Sequence, residues 1–244
     1  MNYIKVLNIT FLSEKFQVVL EQLKKGKFMV VPSGPGLATI GKDLTYTEAV
    51  QNADFAIPDS KYMVFLLKVL KGVRINKFSG YLFLKHFFSE KIFANELFLI
   101  DPNEKESIAN NTFLNGIGIP INNSYQYIAP IYKKNSIVDD LLLDKLQSLK
   151  IKPKYIMINL GSGVQEPLGY YLKQKLNFNV GIICTGAAIS FFTGRQANIT
   201  PLIDNLGMGW LWRCFKNPGV FIPRYLGAFS LFYLIFKADV EVIE

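Results

Sequence analysis

Short apolar runs typical of buried strands alternate with longer helix-like runs along most of this chain, and this alternation constrains the fold more than any other feature. Strands are predicted at residues 28–31, 55–57, 97–100, 155–160 and 180–184, and helices at 37–52, 62–70, 82–88, 103–114, 137–149 and 167–176. Such alternation builds βαβ units around a mainly parallel sheet. We therefore expect an α/β, Rossmann-like fold with flanking helices, begun by a first strand within residues 1–10.

The predicted strand ends carry the residues best suited to a ligand site. In open parallel sheets ligands bind outside the carboxyl ends of the strands, where turns and helix N-termini present backbone N–H groups to anions. Four ends carry such residues: Ser33 with Gly34, Asp59, the loop containing Gly161, Gly163 and Glu166, and Thr185 with Gly186. This convergence favours a nucleotide-sugar site. Neither a Walker P-loop nor a GxGxxG dinucleotide motif is present, which argues against an ATPase or a nicotinamide enzyme.

Composition narrows the partners and the chemistry. The formal charge is +8 over 244 residues, so an acidic partner is expected, and nucleotide phosphate, lipid pyrophosphate, anionic membrane and nucleic acid all qualify. The only cysteines, Cys184 and Cys214, lie in separate apolar stretches and indicate a reducing compartment. With a single histidine, His86, the chain offers neither a usual zinc ligand set nor a Ser/His/Asp triad.

The last fifty residues differ in character and are predicted to form an appendage, 196–244, on a catalytic domain of residues 1–195. Both tryptophans are interleaved there with Arg213, Lys216 and Arg224, and an apolar run follows at 226–236. That run is shorter than the roughly 20 residues that span a bilayer, so we expect it to lie on a membrane surface. The alternative is a helix that packs on the core or against another subunit of a homo-oligomer. Lipid is favoured over nucleic acid as the partner, because the basic residues are spread out and the aromatic and basic residues lead into an apolar run.

Several segments together resemble a known family, the WecG/TagA/CpsF glycosyltransferases of glycosyltransferase family 26. The matching segments are NADFAIPD at 52–59, GSGVQE at 161–166, LGMGWLWR at 206–213 and Arg-Tyr at 224–225. The resemblance implies inverting transfer of a hexose or an N-acetylmannosamine-like sugar from a UDP donor to a polyprenyl-diphosphate-linked saccharide, with no obligatory metal. It also implies a peripheral location on the cytoplasmic face of the bacterial inner membrane.

The same resemblance assigns roles to individual residues. Asp59 matches the family's proposed general base, which an inverting transfer needs because the attacking hydroxyl must lose a proton. Gln165 matches a polar residue of the active-site pocket. Arg213, Lys216 and Arg224 fall in or near the appendage whose cations are thought to close over the donor, where they would stabilise charge on the leaving UDP. From the residues alone, Asp59 could instead cap the helix at 62–70, and Gln165 the helix at 167–176.

This chain also departs from the family pattern at several positions. The family threonine at the first strand end is replaced by the Pro-Ser-Gly segment at 32–34, and two acids are replaced by Leu82 and Ser190. The glutamate before Trp210 is Gly209, and one appendage arginine is Val220. These departures and the apolar C-terminal run leave open a non-catalytic membrane-associated subunit of a polysaccharide assembly pathway. The positive net charge leaves open a basic nucleic-acid-binding module.

Overall fold

The computed structural model of the chain describes residues 2–93, 95–133, 137–195 and 218–243. Within these residues a nine-stranded sheet carries helices on its faces. The strands are β1 Tyr3–Val6, β2 Ile9–Leu12, β3 Phe28–Val30, β4 Phe55–Ala56, β5 Leu97–Asp101, β6 Gln126–Ile128, β7 Tyr155–Ile158, β8 Gly181–Cys184 and β9 Val240–Ile243. The helices are α1 Phe16–Lys24, α2 Gly34–Leu37, α3 Leu44–Gln51, α4 Lys61–Lys71, α5 Gly80–Phe87, α6 Glu104–Gly116, α7 Asp140–Ser148, α8 Gln165–Lys175, α9 Pro218–Gly227 and α10 Ser230–Lys237, with 3₁₀ turns at Asn123–Tyr125 and Gly186–Phe191.

The sheet is mainly parallel, as the sequence predicts. Its strand order is β6-β5-β7-β8-β3-β4-β2-β1-β9. All pairs from β6 to β2 are parallel, whereas β1 pairs antiparallel with both β2 and β9 at one edge. The predicted α/β, Rossmann-like architecture is therefore confirmed.

The central strands are buried on both sides. Successive residues of β3 point into two different hydrophobic clusters, with Phe28 and Val30 in one and Met29 in the other. Strands β5, β7 and β8 are likewise buried along their whole length. Parallel strands covered on both faces have continuous apolar sequences, which explains why they were recognisable without alternation.

Two predicted elements are wrong in detail. The single strand expected within residues 1–10 is a hairpin, because Leu7 and Asn8 adopt φ values of 55° and 59° and reverse the chain. The single helix expected at 37–52 is divided into α2 and α3. Gly41, with φ of 80°, breaks it, and the Asp43 carboxylate then accepts a hydrogen bond from the Tyr46 N–H and caps α3.

The C-terminal residues 228–243 pack on the core. Leu231 and Ile235 of α10 are fully buried, α10 lies against α4, and β9 extends the sheet beside β1. Residues 196–217 lie outside the described residues, so the predicted domain boundary at 195/196 stays a prediction. In the ranges that the structure covers, none of the helices combines the length and the apolar character needed to traverse a bilayer.

Candidate active site

The carboxyl ends of four neighbouring parallel strands come into contact at one edge of the sheet. The loops after β3 and β4 approach so closely that a Cβ atom added to Gly34 would lie 2.9 Å from the hydroxyl oxygen of Ser60. A Cβ on Gly36 would lie 3.3 Å from the Ser162 hydroxyl, after β7, and one on Gly80 would lie 3.7 Å from the Thr185 Cβ, after β8. The predicted convergence of these loops is therefore present in the fold.

Asp59 lies half-buried in the loop between β4 and α4, and its carboxylate reaches a different helix. Its Oδ1 accepts a 3.1 Å hydrogen bond from the N–H of Gly80, the first residue of α5. The cap of α4 is Ser60, whose hydroxyl accepts from the Met63 N–H at 3.2 Å. The alternative role for Asp59, as the cap of the helix at 62–70, is therefore wrong. The N-terminus of α5 instead orients the carboxylate and favours its negative charge.

Gln165 links the loops that follow β7 and β8. Its Oε1 accepts a 2.7 Å hydrogen bond from the Gly186 N–H, and its Nε2 donates to Glu166 Oε1 at 3.0 Å. The positive φ of Gly186, 65°, aims that N–H at Gln165. Gln165 is 1% exposed, so its amide holds the two loops in a fixed relation to each other.

Glu166 is fully buried at the start of α8. Its Oε2 accepts a 2.8 Å hydrogen bond from the N–H of Gly163, which adopts a φ of 89°. Burial raises the pKa of Glu166, although the donors from Gly163 and Gln165 oppose this rise. The N–H of Gly163 is thus already hydrogen-bonded within the loop, and Glu166 stabilises the conformation of the loop where it enters α8.

A cavity of about 210 Å³ opens beside this loop, toward the ends of β5 and β7. Its lining residues come from the ends of both strands, from α6 and from the turn after β8: Pro102, Glu106, Asn110, Asn159, Gly161, Ala187, Ile189, Ser190 and Arg195.

A buried polar cluster borders the cavity. Asp101 ends β5, and its Oδ1 accepts hydrogen bonds from the side-chain amides of Asn110 at 2.7 Å and Asn159 at 2.8 Å. We call Asp101, Asn110 and Asn159 the Asp101 cluster. Sequence reasoning did not identify them, although polar residues at the ends of β5 and β7 were a usable signal, because ligands bind at such ends.

The remaining predicted site residues are placed as follows. The Ser33 hydroxyl accepts from the Gly36 N–H at 3.3 Å and caps α2. Thr185 is 8% exposed, and its hydroxyl oxygen is buried without a hydrogen-bond partner among the described residues. Arg224 lies within α9, whereas Arg213 and Lys216 lie outside the described residues. In the described part of the chain, no three His, Cys, Asp or Glu side chains are grouped to hold a metal ion.

A parallel α/β sheet with polar loops and a cavity at its carboxyl edge defines a protein that binds its ligand across these strand ends. The family model described as "Glycosyl transferase WecG/TagA/CpsF family" matches residues 3–242. Because the match covers nearly the whole chain, the protein belongs to this family of glycosyltransferases, which act in cell-surface polysaccharide synthesis. Comparison with curated proteins gave no match.

Proposed function

We propose that the protein is an inverting glycosyltransferase that moves a hexose or an N-acetylhexosamine, of the N-acetylmannosamine kind, from a UDP-sugar to a polyprenyl-diphosphate-linked saccharide. A glycosyltransferase family implies a sugar donor and a glycan acceptor. The single observation that carries the proposal is the position of Asp59. Its carboxylate lies at the edge of the sheet where the loops after β3, β4, β7 and β8 meet.

In this proposal Asp59 is the general base. As the acceptor hydroxyl attacks the anomeric carbon, its proton passes to the Asp59 carboxylate and the bond between that carbon and the UDP oxygen breaks. Attack from the face opposite UDP inverts the anomeric configuration. The Gly80 N–H holds Oδ1 in one orientation, so the base is already in position when the acceptor arrives.

The donor is proposed to lie across the loops after β7 and β8. The Thr185 hydroxyl is a buried group without a hydrogen-bond partner in the described structure, and a bound ligand would supply one. Gln165 and Glu166 keep this part of the site rigid through their contacts with Gly186 and Gly163. Rigid loops hold the reacting atoms in productive geometry at little cost in entropy.

Charge on the departing UDP is proposed to be stabilised by cations of the C-terminal segment, with no metal required. Arg213, Lys216 and Arg224 are the candidates, because guanidinium and ammonium groups bind phosphate oxygens by charge-assisted hydrogen bonds. The competing role for these side chains is contact with lipid headgroups.

A membrane surface is proposed as the location because α10 is apolar on two faces, and the cytoplasmic side is proposed from the family resemblance. One face is buried through Leu231 and Ile235. The opposite face exposes an apolar stripe at helical spacing: Phe229, Phe232, Tyr233 and Phe236.

The neighbouring helix α4 extends this apolar surface and adds positive charge. Phe65 and Val69 are 57% and 61% exposed, and the same helix also exposes Lys61 and Lys68. The two helices are joined where the Lys71 ammonium donates to the Phe236 carbonyl at 3.0 Å. Aromatic rings flanked by lysines suit the headgroup layer of an anionic membrane, where a polyprenyl acceptor is also held.

The proposal is tested by incubating purified full-length protein with a panel of UDP-sugars and a polyprenyl-diphosphate-linked saccharide. Mass spectrometry and NMR then identify the product and the linkage. The expected result is transfer from one donor, in the presence of a chelator, with an inverted anomeric centre. UDP binding without transfer from any donor would favour the alternative, a non-catalytic subunit of a polysaccharide assembly pathway.

A further inference from the structure

The Asp101 cluster contains more hydrogen-bonding capacity than the protein uses. Asp101, Asn110 and Asn159 are 0%, 1% and 4% exposed. Both amides donate to the same oxygen, Asp101 Oδ1, so Asp101 Oδ2, Asn110 Oδ1 and Asn159 Oδ1 are each buried without a partner in the described structure. A buried oxygen without a partner costs about 1–3 kcal/mol, so three together are an expensive arrangement.

Two of the three unused oxygens belong to side chains that line the cavity, whereas Asp101 lies behind them and is 0% exposed. Asn110 and Asn159 are among its lining residues, and both keep their carbonyl oxygens unpaired. Pockets that enclose a whole drug-sized ligand measure about 300–1,000 Å³, so a cavity of about 210 Å³ has room for one ring of a larger ligand. The cavity and the unpaired oxygens therefore point to the same occupant, a small polar ring.

The unpaired oxygens of the Asp101 cluster favour, as a bound ligand, a neutral ring that carries several hydrogen-bond donors. Burial raises the pKa of Asp101, and the hydrogen bonds that Asn159 and Asn110 donate to it oppose this rise. A phosphate in this cavity would be repelled, because its negative charge would lie next to the partly negative amide oxygens of Asn110 and Asn159. Arg195, the cation among the cavity-lining residues, already lies 3.7 Å from the Glu106 carboxylate and also donates to the Lys105 carbonyl.

A hexose fits these oxygens better than a nucleobase does. Each sugar hydroxyl supplies a donor, whereas the edge of a uracil ring offers one N–H between two carbonyl acceptors. We propose that Asn110 and Asn159, held in place by Asp101, form a subsite that hydrogen-bonds the hydroxyl groups of a hexose ring in this cavity. This inference rests on the proposed function, and the sugar belongs either to the donor or to the glycan acceptor.

The test compares binding of UDP, a panel of UDP-hexoses, free hexoses and free N-acetylhexosamines to the full-length protein, by calorimetry and ligand-observed NMR. Asn159→Ala removes one unpaired oxygen, and Ala187→Leu fills the cavity without changing the cluster. The matched control is Asn111→Ala, because Asn111 also carries a buried unpaired oxygen but does not line the cavity. Circular dichroism and thermal unfolding verify that each variant is folded.

Asn159→Ala is expected to weaken hexose binding roughly 5- to 150-fold, the range for one lost buried hydrogen bond, and Ala187→Leu is expected to weaken it by filling the cavity. Both variants are expected to weaken UDP binding much less than hexose binding. Weaker binding of the UDP-hexose identifies the donor sugar, and a raised KM for the acceptor alone identifies the acceptor sugar. An equal loss of UDP binding would assign the cavity to the nucleobase and overturn the proposal, as would unchanged hexose binding in both variants, which indicates a cavity holding water only. Free hexose binding needs no turnover, so it separates failure of this subsite from failure of the proposed activity.

Discussion

The exposed face of α10 gives a quantitative prediction for membrane binding. Phe232 and Phe236 are 48% and 61% exposed, so together they offer the apolar surface of about one phenylalanine side chain. Burying one such side chain in an apolar phase is worth roughly 1.5–3 kcal/mol. We therefore expect Phe232→Ser with Phe236→Ser to weaken binding to lipid vesicles roughly 10- to 150-fold, since 1.4 kcal/mol corresponds to a tenfold change.

The assay is co-sedimentation with vesicles that contain anionic lipid. Protein folding should change little, because both rings face outward. Ile235→Ala is the matched change on the buried face of the same helix, since Ile235 is fully buried. It is expected to lower the free energy of unfolding by about 2–5 kcal/mol.

Three results would separate the possible roles of the stripe. Unchanged vesicle binding by the double serine variant would refute its proposed contact with lipid. A loss of oligomers without a loss of vesicle binding would assign the stripe to a subunit interface. If vesicle binding by the double serine variant still weakens with added salt, the lysines of α4 make a separate electrostatic contribution to binding.

Two further predictions concern the loop after β7. Gly163→Ala should lower the free energy of unfolding by about 1–2 kcal/mol, because an L-residue is strained at a φ of 89°. The control Gly161→Ala should leave this free energy nearly unchanged, because Gly161 has no positive φ. Urea unfolding of the two variants measures the difference. Since burial raises the pKa of Glu166 above its usual 4.5, its stabilising contribution is complete below that pH and is lost as the pH rises through the folded value. Glu166→Gln should flatten the dependence of the free energy of unfolding on pH in this range. An unchanged slope would show that the titration of Glu166 does not cause this dependence.

Much of the fold was predictable from the sequence, because buried parallel strands have continuous apolar runs that a single chain displays. Helix α1 was missed although one of its faces is buried, whereas two missed strands have weak signals. Strand β6 has no fully buried residue, and β9 is mostly exposed. Both lie at edges of the sheet, where pairing with a distant strand decides the structure and local sequence does not.

The site was predictable at the level of which loops meet, because strand ends with glycine and polar residues converge in any parallel sheet. The partners of each side chain were not predictable. Asp59 binds the N-terminus of α5, and Gln165 binds Gly186, across 21 residues in each case. The Asp101 cluster joins residues from β5, α6 and the end of β7, and such contacts depend on tertiary packing alone.

The most direct test of the proposed mechanism is the rate of sugar transfer by Asp59→Asn. The asparagine keeps an oxygen for the Gly80 N–H but cannot accept the proton, so we predict a loss of about 10²- to 10⁴-fold in kcat with the fold retained. Asp54→Asn is the control, because Asp54 lies at the other end of β4, where it pairs with Lys27 and Lys173. Full turnover by Asp59→Asn would contradict the assignment of the base, whereas inactivity of Asp59→Asn beside an active Asp54→Asn is the predicted result.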